Sequence, residues 1–416
     1  MSTEKISRRA AAGSAAFTII RPELVRGWAK DKLTAGLVGC GGRGTGAAVD
    51  ILTGNPNVEL VAMADIFEDK LETSLKRLRG DKRAAAVADR VKVDPDKRFV
   101  GFDAYKKLLA TDIDIVMLTT PPGWRPIHME AAVAAGKHVF AEKPFATDAA
   151  GVRKVMAAAK EAEKKKLTLM SGAQNHAAQD MVESVAKIKD GAIGDIVACY
   201  AEYLSGPVMH AKSRDAKWGD MEWEHRNWYS FLWLCGDQIV EQHFHNIDAI
   251  CWVMGTHPVE VVASGGAAWR PRVELYGNIY DHMSSDFVFA NGVRLSSHCR
   301  QYPPPMIRRT GELVVGTKGK SNLRDLGEKS PVNPQVQEHI NMVNSILERG
   351  PYMNHGMAVA ESTLTCIMAR ESAYSGIKVT WDMAMNSQQD LMPKEADYKL
   401  KMDPVPLPIP GQYKFI

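Results

Sequence analysis

No run of apolar residues in this sequence reaches the roughly 18 to 20 that a membrane-spanning helix needs, so no spanning segment is expected. The six cysteines, Cys40, Cys199, Cys235, Cys251, Cys299 and Cys366, contain no CxxC pair. That spacing excludes a disulfide scaffold and a zinc knuckle, and leaves the thiols as small core residues. A charge excess is missing as well: 52 Lys and Arg stand against 49 Asp and Glu, a net +3 spread over 416 residues. Nucleic acid and membrane surfaces therefore have no electrostatic claim as partners. What is present is 45% apolar and 24% charged residues, usual for a soluble globular enzyme, at a length that calls for two domains.

The first thirty residues differ from the rest. ISRRAAAGSAAFTII places Arg8 and Arg9 before a modest apolar stretch, which resembles a twin-arginine export signal over residues 1–30. Alanines after SRR depart from that pattern, where a bulkier apolar pair is usual. An amphipathic tail is the plain alternative, and a cytoplasmic location follows if it holds.

Residues 31–165 read as a dinucleotide-binding unit. LTAGLVGCGGRGTGAAVDIL is a strand, a glycine-rich turn and a helix, with Gly39, Gly41 and Gly44 spaced as GxGxxG. Those glycines give a tight turn, close backbone approach to a pyrophosphate and close helix–strand packing, and the helix start offers its N–H groups to the anion. VELVAMADIF is a second strand, and Asp65 lies 21 residues past Gly44. A carboxylate there accepts from both ribose hydroxyls and repels a 2′-phosphate, so NAD is expected over NADP. IDIVMLTT reads as a buried parallel strand, RPIHMEAAVAAG as a helix with a glycine cap, and KHVFAEKPF as the next strand, ending in Glu142-Lys143-Pro144.

GxGxxG, the terminal Asp, TTPP and GKHVFAEKP, taken in order, resemble the Gfo/Idh/MocA oxidoreductases; DGAIGDIVACYAEY, the region of His245 and GELVVGTKGKSNL extend the resemblance from about residue 33 to about 380. It implies an α/β chain: an N-terminal Rossmann domain, then over 166–380 an α+β domain with a large, mostly antiparallel, open-faced sheet. It also implies cofactor contacts at Gly39, Gly41, Gly42, Arg43, Gly44, Asp65, Thr120, Pro121, Glu142 and Lys143, with Lys143 beside the nicotinamide and the reacting hydroxyl. A homo-oligomer, dimer or tetramer, follows from the resemblance alone.

The second half carries the substrate. KLTLMSGAQNH reads as a strand leaving the first domain, SDFVFANGVRLSSHCRQY as a hairpin about Asn291-Gly292, and EHINMVNSILERG and GMAVAESTLTCIMARESAYSG as amphipathic helices. Four of the nine tryptophans fall between 218 and 233 among polar neighbours, a composition suited to sugar. Trp124, His176, Trp223, Arg226, Trp228 and His243 are the expected substrate contacts. The proline-rich tail, 381–416, is expected to wrap the body or a neighbouring subunit.

GDQIVEQHFHNID (236–248) holds the acid/base candidates. On a helix Glu241 and His245, four apart, share a face, and the resemblance gives His245 the hydroxyl proton and Glu241 an orienting part. His243 departs from the family's small residue. Helical, it points about 200° away from either neighbour two positions off; extended, Glu241, His243 and His245 line one face and are able to take a divalent metal. Three readings result: a plain NAD-dependent sugar or inositol dehydrogenase (or a sugar–sugar oxidoreductase), a redox-neutral cycle that cleaves a glycoside with retained NAD, and a non-catalytic cofactor-binding protein. Export favours the closed cycle, because no obvious NAD pool exists outside the cytoplasm. His176, His225 and His243 then offer themselves as its additional acid and base.

Overall fold

The computed structural model describes residues 32–208, 213–270 and 276–416; the arginine pair and the apolar segment after it lie outside the described residues. The continuous apolar runs become a six-stranded parallel sheet: β1 (Leu33–Val38), β2 (Val58–Asp65), β3 (Arg98–Val100), β4 (Ile115–Leu118), β5 (His138–Ala141) and β6 (Leu169–Ser171), ordered β3-β2-β1-β4-β5-β6. All four β4 residues are buried, as a strand covered on both faces requires. The order reverses between β1 and β4, so their carboxyl ends open the crevice where such sheets hold ligands. One expectation is corrected here. β6 does not leave the domain; it pairs with β5, carrying the first sheet past residue 165.

The second sheet holds β7 (Ile196–Ser205), β8 (Glu260–Gly266), β9 (His282–Val288), β10 (Arg294–Gln301), β11 (Arg309–Gly316), β12 (Lys320–Ser321) and β13 (Val379–Thr380), ordered β12-β11-β7-β10-β9-β8-β13. Only β7 and β10 run parallel. The Asn291-Gly292 turn joins β9 to β10, with Gly292 at φ +85° where a side chain would be strained.

Helices Phe244–Met254 and Gly356–Ser375 pack against this sheet. The second of these is not amphipathic, contrary to its apolar spacing. Seventeen of its twenty residues are buried, because it also packs on helix Ala149–Lys164 of the first domain. Arg370 and Glu371, both wholly buried on it, meet each other at 2.6 and 2.9 Å. Arg370 also donates to the carbonyls of Thr147 (2.6 Å) and Gly236 (3.1 Å).

The tail lies along the body. The Leu391 N–H donates to Asp148 (2.8 Å), Met402 N–H to Asp220 (3.0 Å) and Met221 N–H to the Leu400 carbonyl (3.3 Å). Tyr398 packs on Phe67 and Phe102 and donates to the Ile66 carbonyl. Among the described residues, no helix is long and apolar enough to cross a membrane.

Candidate active site

At the carboxyl ends of β1, β2, β4 and β5 a cavity of about 640 Å³ runs from the glycine-rich turn to His245. Its floor is built by close approach. A Cβ on Gly44 would lie 2.0 Å from the Gly39 carbonyl oxygen, and one on Gly39 (φ +96°) would lie 2.8 Å from the Thr119 backbone. On Gly41 or Gly42, by contrast, a Cβ would meet nothing within 4 Å. That open cradle faces the start of helix Gly42–Gly54, which no side chain caps, and so fits a pyrophosphate on the helix N–H groups. At the end of β2, Asp65 accepts the N–H of Cys40 (2.6 Å) and of Phe67 (2.8 Å); burial pushes its pKa up while these two donors hold it down. The residues present therefore fit a dinucleotide.

The structure brings all the expected cofactor residues to this cavity wall, namely Gly39, Gly41, Gly42, Arg43, Gly44, Asp65, Thr120, Pro121, Glu142 and Lys143. Arg43 does not reach out freely. Its guanidinium pairs with Glu142 (2.8 Å) and Asp50 (2.9 Å). Glu338, from helix Pro334–Ile346, lines the same wall with one carboxyl oxygen buried and unpartnered, and burial with the nearby Glu142 charge pushes its pKa well up. Sequence offered no signal for Glu338, since it lies on a distant helix that folds back onto the first domain.

Lys143 and Glu241 meet at the far end. The Lys143 ammonium donates to the Glu241 carbonyl at 2.6 Å and lies 3.3 Å from its carboxylate. His245 lines the cavity beside them, with Nδ1 buried and unpartnered. Burial first, then the charges of Lys143 and His176, hold its pKa well below 6.5, so its imidazole is neutral at neutral pH.

The segment around His243 is helical: Gln238–Glu241 forms one short helix, Phe244–Met254 the next, and His243 has φ −71°, ψ −11°. The extended alternative and the shared metal face are therefore corrected. Among the described residues, no group of three or more His, Cys, Asp or Glu could hold a metal ion. His243 is wholly buried, bonded to Asn246 (3.2 Å) and Ser297 (2.7 Å), and does not reach the cavity.

Two other expected substrate contacts also lie elsewhere. His176 pairs with Asp248 at 2.8 Å and packs on Trp252. Trp223 is buried in an aromatic cluster with Phe231. Trp124, Arg226 and Trp228 do line the cavity, but Arg226 stands at its Asp65 end, over the Phe67 ring (3.9 Å) and 3.3 Å from Asp69. His225 is spoken for too. Nε2 accepts from Trp124 (2.8 Å) and Nδ1 faces the Met221 carbonyl (2.7 Å), while burial lowers its pKa to about 4.

Sequence reasoning missed a second cleft of about 530 Å³. It shares Gln174, Gln242 and His245 with the first and continues over Asn175, Tyr203, Asn246, Glu312 and Arg324. Single polar residues on alternating strands look like an ordinary solvated face, which is why none stood out.

Comparison with known proteins agrees with this geometry. A family profile described as "Oxidoreductase family, NAD-binding Rossmann fold" matches residues 33–171, and the profile "GFO/IDH/MocA C-terminal domain" matches 181–321. A "Glycosyl hydrolase family 109 protein" of Shewanella pealeana is 25% identical over 219 residues, 52% of this chain and 44% of that one. An "Inositol 2-dehydrogenase" of Serratia proteamaculans is 25% identical over 218 residues, 49% of this chain and 56% of that one. The chain thus spans about half the length of these relatives. The WlbA dehydrogenase from Bordetella pertussis, solved with NADH and UDP-GlcNAcA, superposes with a TM-score of 0.63 at 18% identity, covering 84% of this chain and 98% of that one. At that identity the likeness shows the fold alone.

Proposed function

Because the chain belongs to the Gfo/Idh/MocA oxidoreductase family, we propose that it oxidises a sugar hydroxyl, at C3, and cleaves a glycoside in a redox-neutral cycle with NAD retained. The observation that carries this reading is the pair of clefts meeting at His245. One fits a dinucleotide, and the other adds room beyond the reacting ring. NAD, when bound, supplies reversible hydride acceptance. The neutral His245 takes the hydroxyl proton, and Lys143, held by Glu241, stabilises the oxygen as it becomes a carbonyl. The ketone acidifies the neighbouring C–H; loss of that proton expels the glycosidic oxygen, water adds, and the ketone is reduced back. Similarity to a glycosyl hydrolase family 109 protein supports the cycle. Asp65 supports NAD over NADP, since its charge repels a 2′-phosphate. Export through Arg8 and Arg9 and assembly as a dimer or tetramer belong to the same reading; Val197, Tyr200 and Val262, 45 to 56% exposed on β7 and β8, suit burial against another copy.

The named inositol 2-dehydrogenase favours a second reading, one-way oxidation with release of NADH. One experiment separates the two. Purified protein without added NAD is incubated with p-nitrophenyl hexopyranosides in deuterated water. Release of nitrophenol, with deuterium at the carbon beside the oxidised one, is expected. No release, together with NADH formation from NAD and free sugar, overturns the cycle.

A further inference from the structure

Cleavage by elimination needs a proton for the departing oxygen, and the histidines first suited to give it are committed elsewhere: His176 to Asp248, His225 to Trp124 and Met221, His243 to Asn246 and Ser297. Glu312 is placed differently. It stands half-buried on β11 in the wall of the second cleft, which also contains His245.

A directional chain of hydrogen bonds ends on it. Asn246 Nδ2 can only donate, and it lies 2.5 Å from Glu312 Oε1. The ionised carboxylate selects the polarity in which Asn246 Oδ1 accepts from His243 Nδ1 (3.2 Å) and His243 Nε2 accepts from the Ser297 hydroxyl (2.7 Å). In that polarity Oε1 is an acceptor, and a proton on Glu312 is carried by Oε2. Burial raises the Glu312 pKa to about 6, against the opposing pull of Asn246 and the Arg324 charge. His245 and Tyr203 are the other titratable groups in that cleft, and Arg324 is itself bonded to Asp180 and Asn175 at 2.9 Å. Glu202, on the neighbouring β7, pairs with Arg309.

We propose that the second cleft seats the polar group attached to the oxidised sugar, a second sugar or similar aglycone, and that Glu312 gives its proton to the oxygen that leaves. His243 and Asn246 are positioning residues that set which carboxyl oxygen carries the proton. The proposal rests on the glycoside-cleaving cycle. In the step itself, the C–H proton goes to His245, whose earlier proton has passed to solvent through the open cleft. That C–H pair forms the C=C bond, the C–O bond breaks with its pair on oxygen, and the Oε2 proton completes the hydroxyl of the leaving group. The water that next adds to the double bond returns a proton to Glu312.

The test compares Glu312→Gln with wild type on matched p-nitrophenyl and methyl hexopyranosides. Glutamine keeps the Asn246 bond, and circular dichroism with bound-NAD content confirms the fold. Nitrophenol needs no proton to leave, so its release should stay within a few-fold. Methanol release should fall about 100-fold or more, the range of a lost general acid, while deuterium still enters the methyl glycoside. Wild-type methanol release should also decline above pH about 6, and Asn246→Ala should move that limb upward, because the bond it removes holds the pKa down. Equal losses on both substrates, or none on the methyl glycoside, overturn the proposal. A wild type that releases neither alcohol overturns the underlying cycle instead, a result visible before any variant is made.

Discussion

In the proposed oxidation the histidine that accepts a proton has to arrive uncharged, and His245 does so through burial and two neighbours acting together. Burial disfavours the imidazolium, and the charges of Lys143 and His176 add to that. Oxidation should therefore hold its rate as pH falls through 6.5 and lose it only well below. Replacing Lys143 with methionine removes one opposing charge, so the His245 ring proton, followed by NMR, should titrate at higher pH than in wild type. An unchanged titration would show that Lys143 does not act on His245. Lys143, Glu241 and His245 all line the cavity, as the strand-end motif suggested for Lys143, but the shared helical face expected of Glu241 and His245 is not what unites them: Glu241 ends one short helix and His245 stands on the next. His243 was not legible in the sequence, since its place depended on whether the chain turned helical two residues earlier. Glu312 was hidden by its ordinary surroundings, a single acid in an alternating strand.

Helix Gly356–Ser375 shows what spacing can and cannot tell. Its existence follows from twenty residues without an internal Gly or Pro after Gly356, ending at Gly376, which takes φ +78°. Its environment does not follow, because only the assembled fold sets a helix of the first domain on one side and the second sheet on the other. Arg370 and Glu371 are of a type usually left in water, and the fold places them inside. Glu371 also accepts from Tyr413 at 2.8 Å, so the pair ties the tail to both domains. Arg370→Leu leaves that carboxylate buried without its cation and should cost about 3–5 kcal/mol in urea unfolding. Adding Glu371→Leu should recover part of the loss; no recovery would mean that packing, not charge, set the cost. β6 was misassigned for a related reason: three residues carry no pattern that says which sheet they join.

Seven of the described histidines are held neutral by burial, His245 among them. Burial lowers His138, His225, His243 and His355 to about 4, and His128 and His339 to about 3. Unfolding frees them to bind protons near pH 6.5, so each contributes stability that is complete above 6.5 and drains away as pH falls toward its folded value, by about 1.4 kcal/mol per pH unit. Asp237 and Glu312, raised to about 6, act in the opposite sense below pH 6, and so do Asp65, Asp148 and Glu338, which burial also raises; with His245 counted they are five against seven. The melting temperature should therefore drop steadily from pH 6.5 to 4 at constant ionic strength. A flat profile in calorimetry would mean that these rings charge inside the fold. The two-domain plan and the nucleotide crevice were readable from motif order, whereas this acid sensitivity required knowing which histidines end up dry. The tail adds a matter of timing. Residues 391–402 leave the ribosome after both sheets, yet Tyr398 closes over Phe67 and Phe102 beside Asp65. The aromatic wall beside Asp65 is therefore completed only after both sheets have been made, by a tyrosine 332 positions along the chain from the Ile66 carbonyl it donates to.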